Sequence, residues 1–177
     1  MGLDLSLRST GIAVIDAQAK LLHLTTITNK STGAQRLQET RNRIEASLNQ
    51  WRPDEIVVEF FNDVMHTRSS AECVWLHGIT HLTIHDVGLA PALYISPATL
   101  KKWMVGRGNK VEKEEMVKAI TEQYGETIEQ HDAAEAYGLA CLALERARYT
   151  LGEESIRGRA FTEYEREAML RWRRSMG

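Results

Sequence analysis

Cysteine is almost missing from this chain. Only Cys73 and Cys141 occur in 177 residues, and neither belongs to a CxxC pattern. They read as the reduced thiols of a cytosolic protein, and a structural zinc site built on them is disfavoured. Excess positive charge is missing too: 22 Lys and Arg face 24 Asp and Glu, for a formal net charge of −2. Any nucleic-acid surface must therefore be local, and several acids are available for metal. No apolar run approaches the length of a membrane span. The first residues lack a basic stretch leading into an apolar core and a small-residue cleavage site. There is no internal repeat and no low-complexity segment. The expectation is a soluble, cytoplasmic protein with no membrane partner. Its 43% hydrophobic content over 177 residues suits one substantial core and is short for two domains.

Residues 2–7, 10–17 and 20–28 each read as a strand, with Thr10-Gly11 and Asp16-Ala17-Gln18 as turns, so the chain opens with an antiparallel meander. Leu37, Ile44, Leu48 and Trp51 recur at helical spacing over about 33–50, with Ser31 or Thr32 as N-cap. The run at 55–60 is a short buried strand of parallel type. After a polar loop at 62–70, a second helix runs from Ala71 to Val87 and ends at Gly88. Leu93-Tyr94-Ile95 is a fifth strand. A short helix containing Leu100 to Trp103, a loop around Gly106 and Gly108, a helix over 113–124 and a close-packed helix over about 132–149 follow. The order predicts an α/β fold: a five-stranded mixed sheet, three strands antiparallel and then two parallel, flanked by helices, with the first strand central. Residues 1–149 form the predicted domain. Residues 150–177, carrying six arginines and few large apolar residues, read as a basic, mostly helical tail peripheral to the core.

Four acids stand out because their surroundings are apolar. Asp4 lies inside the first strand, where an uncompensated carboxylate costs on the order of several kcal/mol. Glu59 ends the parallel strand expected beside it, at the carboxyl edge where such sheets gather function. Asp132 and Glu135 are three apart and share a helix face. Each has an ordinary reading: Asp4 as a turn former, Glu59 as an exposed strand end, Asp132 as an N-cap, Glu135 as a favourable first-turn acid. Individually those readings hold about even odds; together they become improbable. Four close carboxylates need counter-charge, and two divalent ions would supply it. Oxygen-only ligands suit Mg²⁺ or Mn²⁺ over zinc. Two such ions about 4 Å apart form a clamp for in-line attack on a phosphodiester.

The motifs Asp4-Leu5-Ser6-Leu7-Arg8-Ser9-Thr10-Gly11, Ile56-Val57-Val58-Glu59, Lys113-Glu114-Glu115-Met116-Val117 and Asp132-Ala133-Ala134-Glu135-Ala136 occur in this order. Together, over about residues 1–148, they resemble the RuvC family of Holliday junction resolvases, above all its shorter phage-type members. The resemblance implies a ribonuclease H-like fold, a homodimer, and four acids with two Mg²⁺ (Mn²⁺ substituting) that nick two strands of a four-way junction in DNA recombination and repair. A phage-encoded member would work in the host cytoplasm. Position by position, it implies Asp4, Glu59, Asp132 and Glu135 as metal ligands, with Lys101 or Lys102 and Lys113 contacting phosphate near the scissile bond. Two departures matter. The family's usual Asp-Pro-Gly start is here Asp-Leu-Ser, which leaves the ligand intact, and the last acid is Glu where Asp is commoner. His131 competes with Asp132 as a ligand; Asp132 is preferred for its spacing to Glu135.

The segment holding Lys101, Lys102, Arg107, Lys110 and Lys113, with Trp103 interleaved, reads either as a solvated loop or, beside a phosphodiester site, as a phosphate-binding one that orders on DNA. The adjacent Phe60 and Phe61 cannot both point inward from a regular strand. One, with Phe61 the choice, is expected as a wedge into the junction's base stack; packing on the second helix or on a partner subunit is the equal alternative. The repeat His77, His81, His85 lacks the Glu of HExxH and reads as a helix face or dimer contact. Gly106-Arg107-Gly108 follows no strand, so it is no dinucleotide fingerprint, and no nucleotide cofactor is expected. The opening Asp…Thr-Gly also resembles an actin-like ATPase, for which the chain is too short. Within the nuclease class, flaps or replication forks are the alternative substrates. A non-catalytic junction-binding protein of the same fold is the alternative outside it, disfavoured by the presence of all four acids.

Overall fold

The computed structural model describes residues 1–61, 68–128, 133–158 and 160–174. Strand β1 (Gly2–Asp4), β2 (Ser9–Ile15) and β3 (Leu21–Thr28) form the meander. Helix α1 (Gly33–Trp51), β4 (Val57–Glu59), α2 (Arg68–Asp86) and β5 (Leu93–Ile95) follow. The chain continues through α3 (Pro97–Val105), α4 (Lys113–Tyr124), α5 (Ala134–Leu151) and α6 (Glu163–Arg174). The sheet order is β3-β2-β1-β4-β5. β1 is antiparallel to β2 and parallel to β4, and β4 is parallel to β5. The predicted mixed sheet with its first strand central is the one observed, and it is the ribonuclease H-like arrangement.

Strand periodicity decides which face each residue serves. Leu3, Ile12, Val14 and Val58 pack with Ile44, Leu48 and Ile84 of α1 and α2. Ala13, Val57, Leu93 and Ile95 pack on the other face with α3, α4 and α5. Asp4 is two residues beyond Gly2, and Glu59 two beyond Val57, so both carboxylates emerge on the α5 side at the carboxyl ends of adjacent strands.

Helix α5 reaches that face closely because its inner residues are small: Ala134, Ala136, Gly138, Ala140 and Ala143. A Cβ on Gly2 would stand 2.1 Å from the Ala136 carbonyl oxygen and 2.5 Å from the Ala140 nitrogen, so only glycine fits there.

Several local expectations change. β1 stops at Asp4 instead of running to residue 7, because the Ser6 carbonyl and hydroxyl close the β1–β2 turn by accepting from Thr10 Oγ1 (2.8 Å) and from the amides of Arg8 and Ser9 (both 3.4 Å). Thr10 and Gly11, expected as a turn, lie inside β2, where Gly11 pairs with Asp4. Thr32 is the N-cap of α1 by position but makes no side-chain cap bond; Ser31 instead donates to Glu39 at 2.7 Å. α2 starts at Arg68, ahead of Ala71.

The C-terminal segment is not peripheral. Phe161, Ala168 and Met169 are buried in the same core as α3 and α5, and Tyr149 meets Phe161 edge-on at 5.4 Å. These apolar side chains are scattered among charged ones, and a buried ion pair between Arg157 and Glu145 of α5 completes the anchor.

Candidate active site

β1, β4 and the first turn of α5 bring Asp4, Glu59 and Glu135 together. One carboxylate oxygen of each lies within 4.8 Å of the others. Glu59 Oε2 is buried with no hydrogen-bond partner among the described residues. An orphaned, inward carboxylate oxygen is costly unless something outside the described chain satisfies it.

The electrostatics point the same way. Burial, then the Glu135 charge, pushes the Asp4 carboxyl up to about 7, against the opposing pull of Lys113 and Lys101. Burial, then Asp4 and Glu135, pushes Glu59 up to about 8, against Lys101. Both acids are thus short of positive charge. The protein's own contribution is visible: Lys101 Nζ of α3 stands 3.4 Å from Glu135 Oε1. An all-oxygen donor set that lacks cationic charge fits a hard divalent ion.

Beside the carboxylates a cavity of about 360 Å³ opens, lined among others by Lys101, Val111, Glu112, Lys113, Ala134 and Glu135. Lys113 opens α4, whose N-terminus is closed by its own capping box, the Glu112 amide donating to Glu115 Oε2 at 3.0 Å. Arg107 is engaged by the same Glu115 carboxylate. Lys110 is exposed, with a left-handed φ of 52°. Lys102 points elsewhere: its ammonium lies 4.1 Å from the Tyr164 ring centroid on α6.

Trp103, expected among the basic residues of a DNA face, is instead buried in the core. It sits on the inner side of α3, two residues from Lys101 and therefore on nearly the opposite face. Asp132 and His131 lie outside the described residues, so the fourth acid and its competing ligand have no placement here. The N-cap of α5 is Ala133, without a side-chain cap bond.

At the end of β4, Phe60 is 47% exposed, and its amide donates to the Ile95 carbonyl at 2.6 Å. Phe61 stacks on His77 with centroids 6.4 Å apart. His77 also meets Phe60 at 6.3 Å and Tyr94 at 6.2 Å. The histidine row is therefore partly an aromatic packing face, with burial lowering the His77 pKa.

Gly11 is a site residue that the sequence pattern presents only as a turn former. A Cβ there would lie 3.0 Å from the Ala136 Cβ and 3.5 Å from the Asp4 Cβ. Its contribution is empty space, which no motif of chemical groups could signal.

The family model described as crossover junction endodeoxyribonuclease RuvC matches residues 1–143. No curated protein sequence matches the chain significantly. Among solved structures, Thermus thermophilus RuvC is similar at 18% identity and a TM-score of 0.67, covering 85% of this chain and 95% of its own. The T. thermophilus RuvC in complex with Holliday junction substrate is similar at 23% identity and the same TM-score of 0.67, covering 85% and 94%. At these identities the structural likeness establishes the fold.

Proposed function

Since this chain belongs to the RuvC family of crossover junction endodeoxyribonucleases, we propose that it resolves four-way DNA junctions by paired symmetric nicks, with Asp4, Glu59, Glu135 and Asp132 holding two Mg²⁺ ions. The observation that carries this reading is the convergence of three carboxylates, one with an orphaned buried oxygen, beside a groove lined by Lys101 and Lys113. When bound, two divalent ions supply Lewis-acid activation of the attacking water and stabilisation of the leaving 3′-oxygen. Mn²⁺ would serve in place of Mg²⁺.

The chain's own residues do the rest. Asp4 and Glu59, fixed on adjacent strands of a rigid sheet, set the position of the charge centre. Glu135, half-buried at the mouth, faces the groove where the scissile phosphate lies. Lys101 and Lys113 line that groove and orient the phosphate through its oxygens. Lys110 and, after release from Glu115, Arg107 extend the contact along the backbone, while Lys102 stays over Tyr164. Hydrolysis leaves a 5′-phosphate and a ligatable 3′-hydroxyl. Phe60, the more exposed of the aromatic pair, is the better-placed wedge, and Phe61 supports it through His77.

Two symmetric cuts need two sites. Val74, Trp75 and Leu82 are 52%, 54% and 59% exposed on α2, an outward apolar row that suits the homodimer interface. The second reading, cleavage of flaps or forks, uses the same site and differs only in how the DNA is shaped around it.

The deciding experiment incubates the protein and its Asp4→Asn variant with Mg²⁺ and labelled four-way, flap, splayed and linear DNA. Symmetric nicking of the four-way substrate, lost in the variant while binding persists, is the expected result. Cleavage of flaps alone would select the second reading. Tight junction binding without any metal-dependent cutting would sink the nuclease reading.

A further inference from the structure

We propose that Arg157 is a positioning residue for the nuclease site: it clamps α3 to α5 and so sets the approach of Lys101 to Glu135. The inference rests on the functional reading above, and it concerns a residue beyond the family match, which ends at residue 143.

Arg157 is held in a buried triad. Its Nε lies 3.0 Å from Glu145 Oε1 of α5, and its Nη2 lies 2.6 Å from Glu165 Oε1 of α6. The side chains are 3%, 0% and 4% exposed for Arg157, Glu145 and Glu165. Glu165 also closes the start of α6, accepting from the Thr162 amide at 2.7 Å while its own amide donates to Thr162 Oγ1 at 3.2 Å. The segment is therefore locked at both ends before it reaches α3.

Three successive residues of α3 are then gripped. The Arg157 guanidinium lies 5.4 Å from the Trp103 ring centroid. Lys102 sits over Tyr164 at 4.1 Å. Arg157 Nη1 donates to Gln123 Oε1 at 3.2 Å, and Gln123 Nε2 donates to the Met104 carbonyl at 2.6 Å. The residue just before these three is Lys101, which reaches Glu135 at 3.4 Å.

The contacts close a mechanical circuit. Glu135 and Glu145 are on the same helix; Glu145 holds Arg157; Arg157 holds Trp103; and Trp103 and Lys101 are on the same helix. Rotating or sliding α3 against α5 must break a link in it. Stability alone is a weak reason to keep such a triad, because buried ion pairs often contribute less than well-packed apolar side chains. Fixing the spacing of two helices whose facing residues bind metal and phosphate is a use that apolar packing serves less sharply.

The test compares the full-length protein with Arg157→Lys and the triple variant Glu145→Gln/Arg157→Met/Glu165→Gln, which removes all three buried charges and leaves none unpaired. Single-turnover cleavage of a four-way junction, junction affinity, and the Mn²⁺ concentration giving half-maximal thermal stabilisation are measured well below each melting temperature. The triple variant should bind junction within about twofold of the parent but cleave about tenfold more slowly, with its Mn²⁺ midpoint raised about threefold. Arg157→Lys, which keeps the charge and loses the planar fork, should fall between. If the triple variant does not fold, Arg157→Lys decides, with an expected loss of about threefold in rate and a higher Mn²⁺ midpoint. A folded variant with parental cleavage rate and Mn²⁺ midpoint overturns the inference and leaves the nuclease reading intact. If the parent cleaves no branched DNA, that reading fails, and the Mn²⁺ midpoints still decide whether Arg157 positions the carboxylates.

Discussion

Asp4 stands opposite Gly11 across the β1–β2 ladder, and the space where a Gly11 side chain would begin lies 3.5 Å from the Asp4 Cβ and 3.0 Å from the Ala136 Cβ of α5. Burial, with the Glu135 charge beside it, pushes the Asp4 carboxyl up to about 7.

Neutralising either buried acid should separate activity from stability. Asp4→Asn and Glu59→Gln are each expected to lower junction cleavage by at least about a thousandfold while junction binding persists. Without metal at pH 8 the same changes should raise the melting temperature, because they remove a charge that the folded state holds at a cost. A melting temperature that falls in both variants would contradict this electrostatic account.

The metal-free protein should lose stability as pH rises. Near pH 4 and below, these acids carry protons in folded and unfolded chains alike. Above that, the unfolded chain releases its protons, whereas folded Asp4 and Glu59 hold theirs to about 7 and 8. The unfolded state then binds fewer protons, so stability declines from about pH 4 until both folded pKa values are passed. With EDTA, melting at pH 8.5 should fall at least about 5 °C below that at pH 5.5, and saturating Mg²⁺ should largely remove the gap. A flat profile in EDTA would rule out the raised pKa values.

Gly2→Ala should be among the most damaging single-methyl additions in the chain. Its Cβ would meet the α5 backbone at 2.1 Å, and backbone yields far less readily than a side-chain tip. A loss of about 3 kcal/mol is expected, toward the upper end for overpacking, read as a lower urea midpoint with an unchanged slope. Tolerance of alanine would mean that α5 does not approach β1 this closely.

Leu82→Asp places a charge in the exposed apolar row of α2 and should convert the proposed dimer into a folded monomer. Light scattering reads the mass, and circular dichroism should stay parental. Junction cleavage should then give single, unpaired nicks. A parental mass would put the interface elsewhere.

Much of the fold is legible in the residue pattern alone. The meander, the two strand–helix units and the central first strand follow from period-two and period-3.6 patterns that the packing respects. Asp4 and Glu59 are conspicuous because charges inside apolar runs demand a partner. What the pattern hides is information carried by absence or by distance. Gly11 contributes only missing volume, so beside Thr10 it looks like a turn former. Trp103 follows two lysines and looks like one of their group, although residue spacing on a helix sends it to the opposite face. Phe161, Ala168 and Met169 are too sparse to show a periodic stripe, and their anchoring depends on Arg157 meeting Glu145, a pairing set by tertiary structure. Asp132 lies outside the described residues, so its part in the site is a proposal for mutagenesis.

The placement of β1 at the centre of the sheet has a consequence for biogenesis. Its first neighbour, β2, is synthesised at once, but its parallel neighbour β4 arrives only after α1, and the helix that seals its inner face is α5. These pairings are non-local and must wait for loop closure. A nascent chain thus carries Asp4 out of the ribosome long before Glu59 and Glu135 can join it. The proposed cutting centre is complete only when nearly the whole domain has been made, so unfinished chains are expected not to nick the DNA around them.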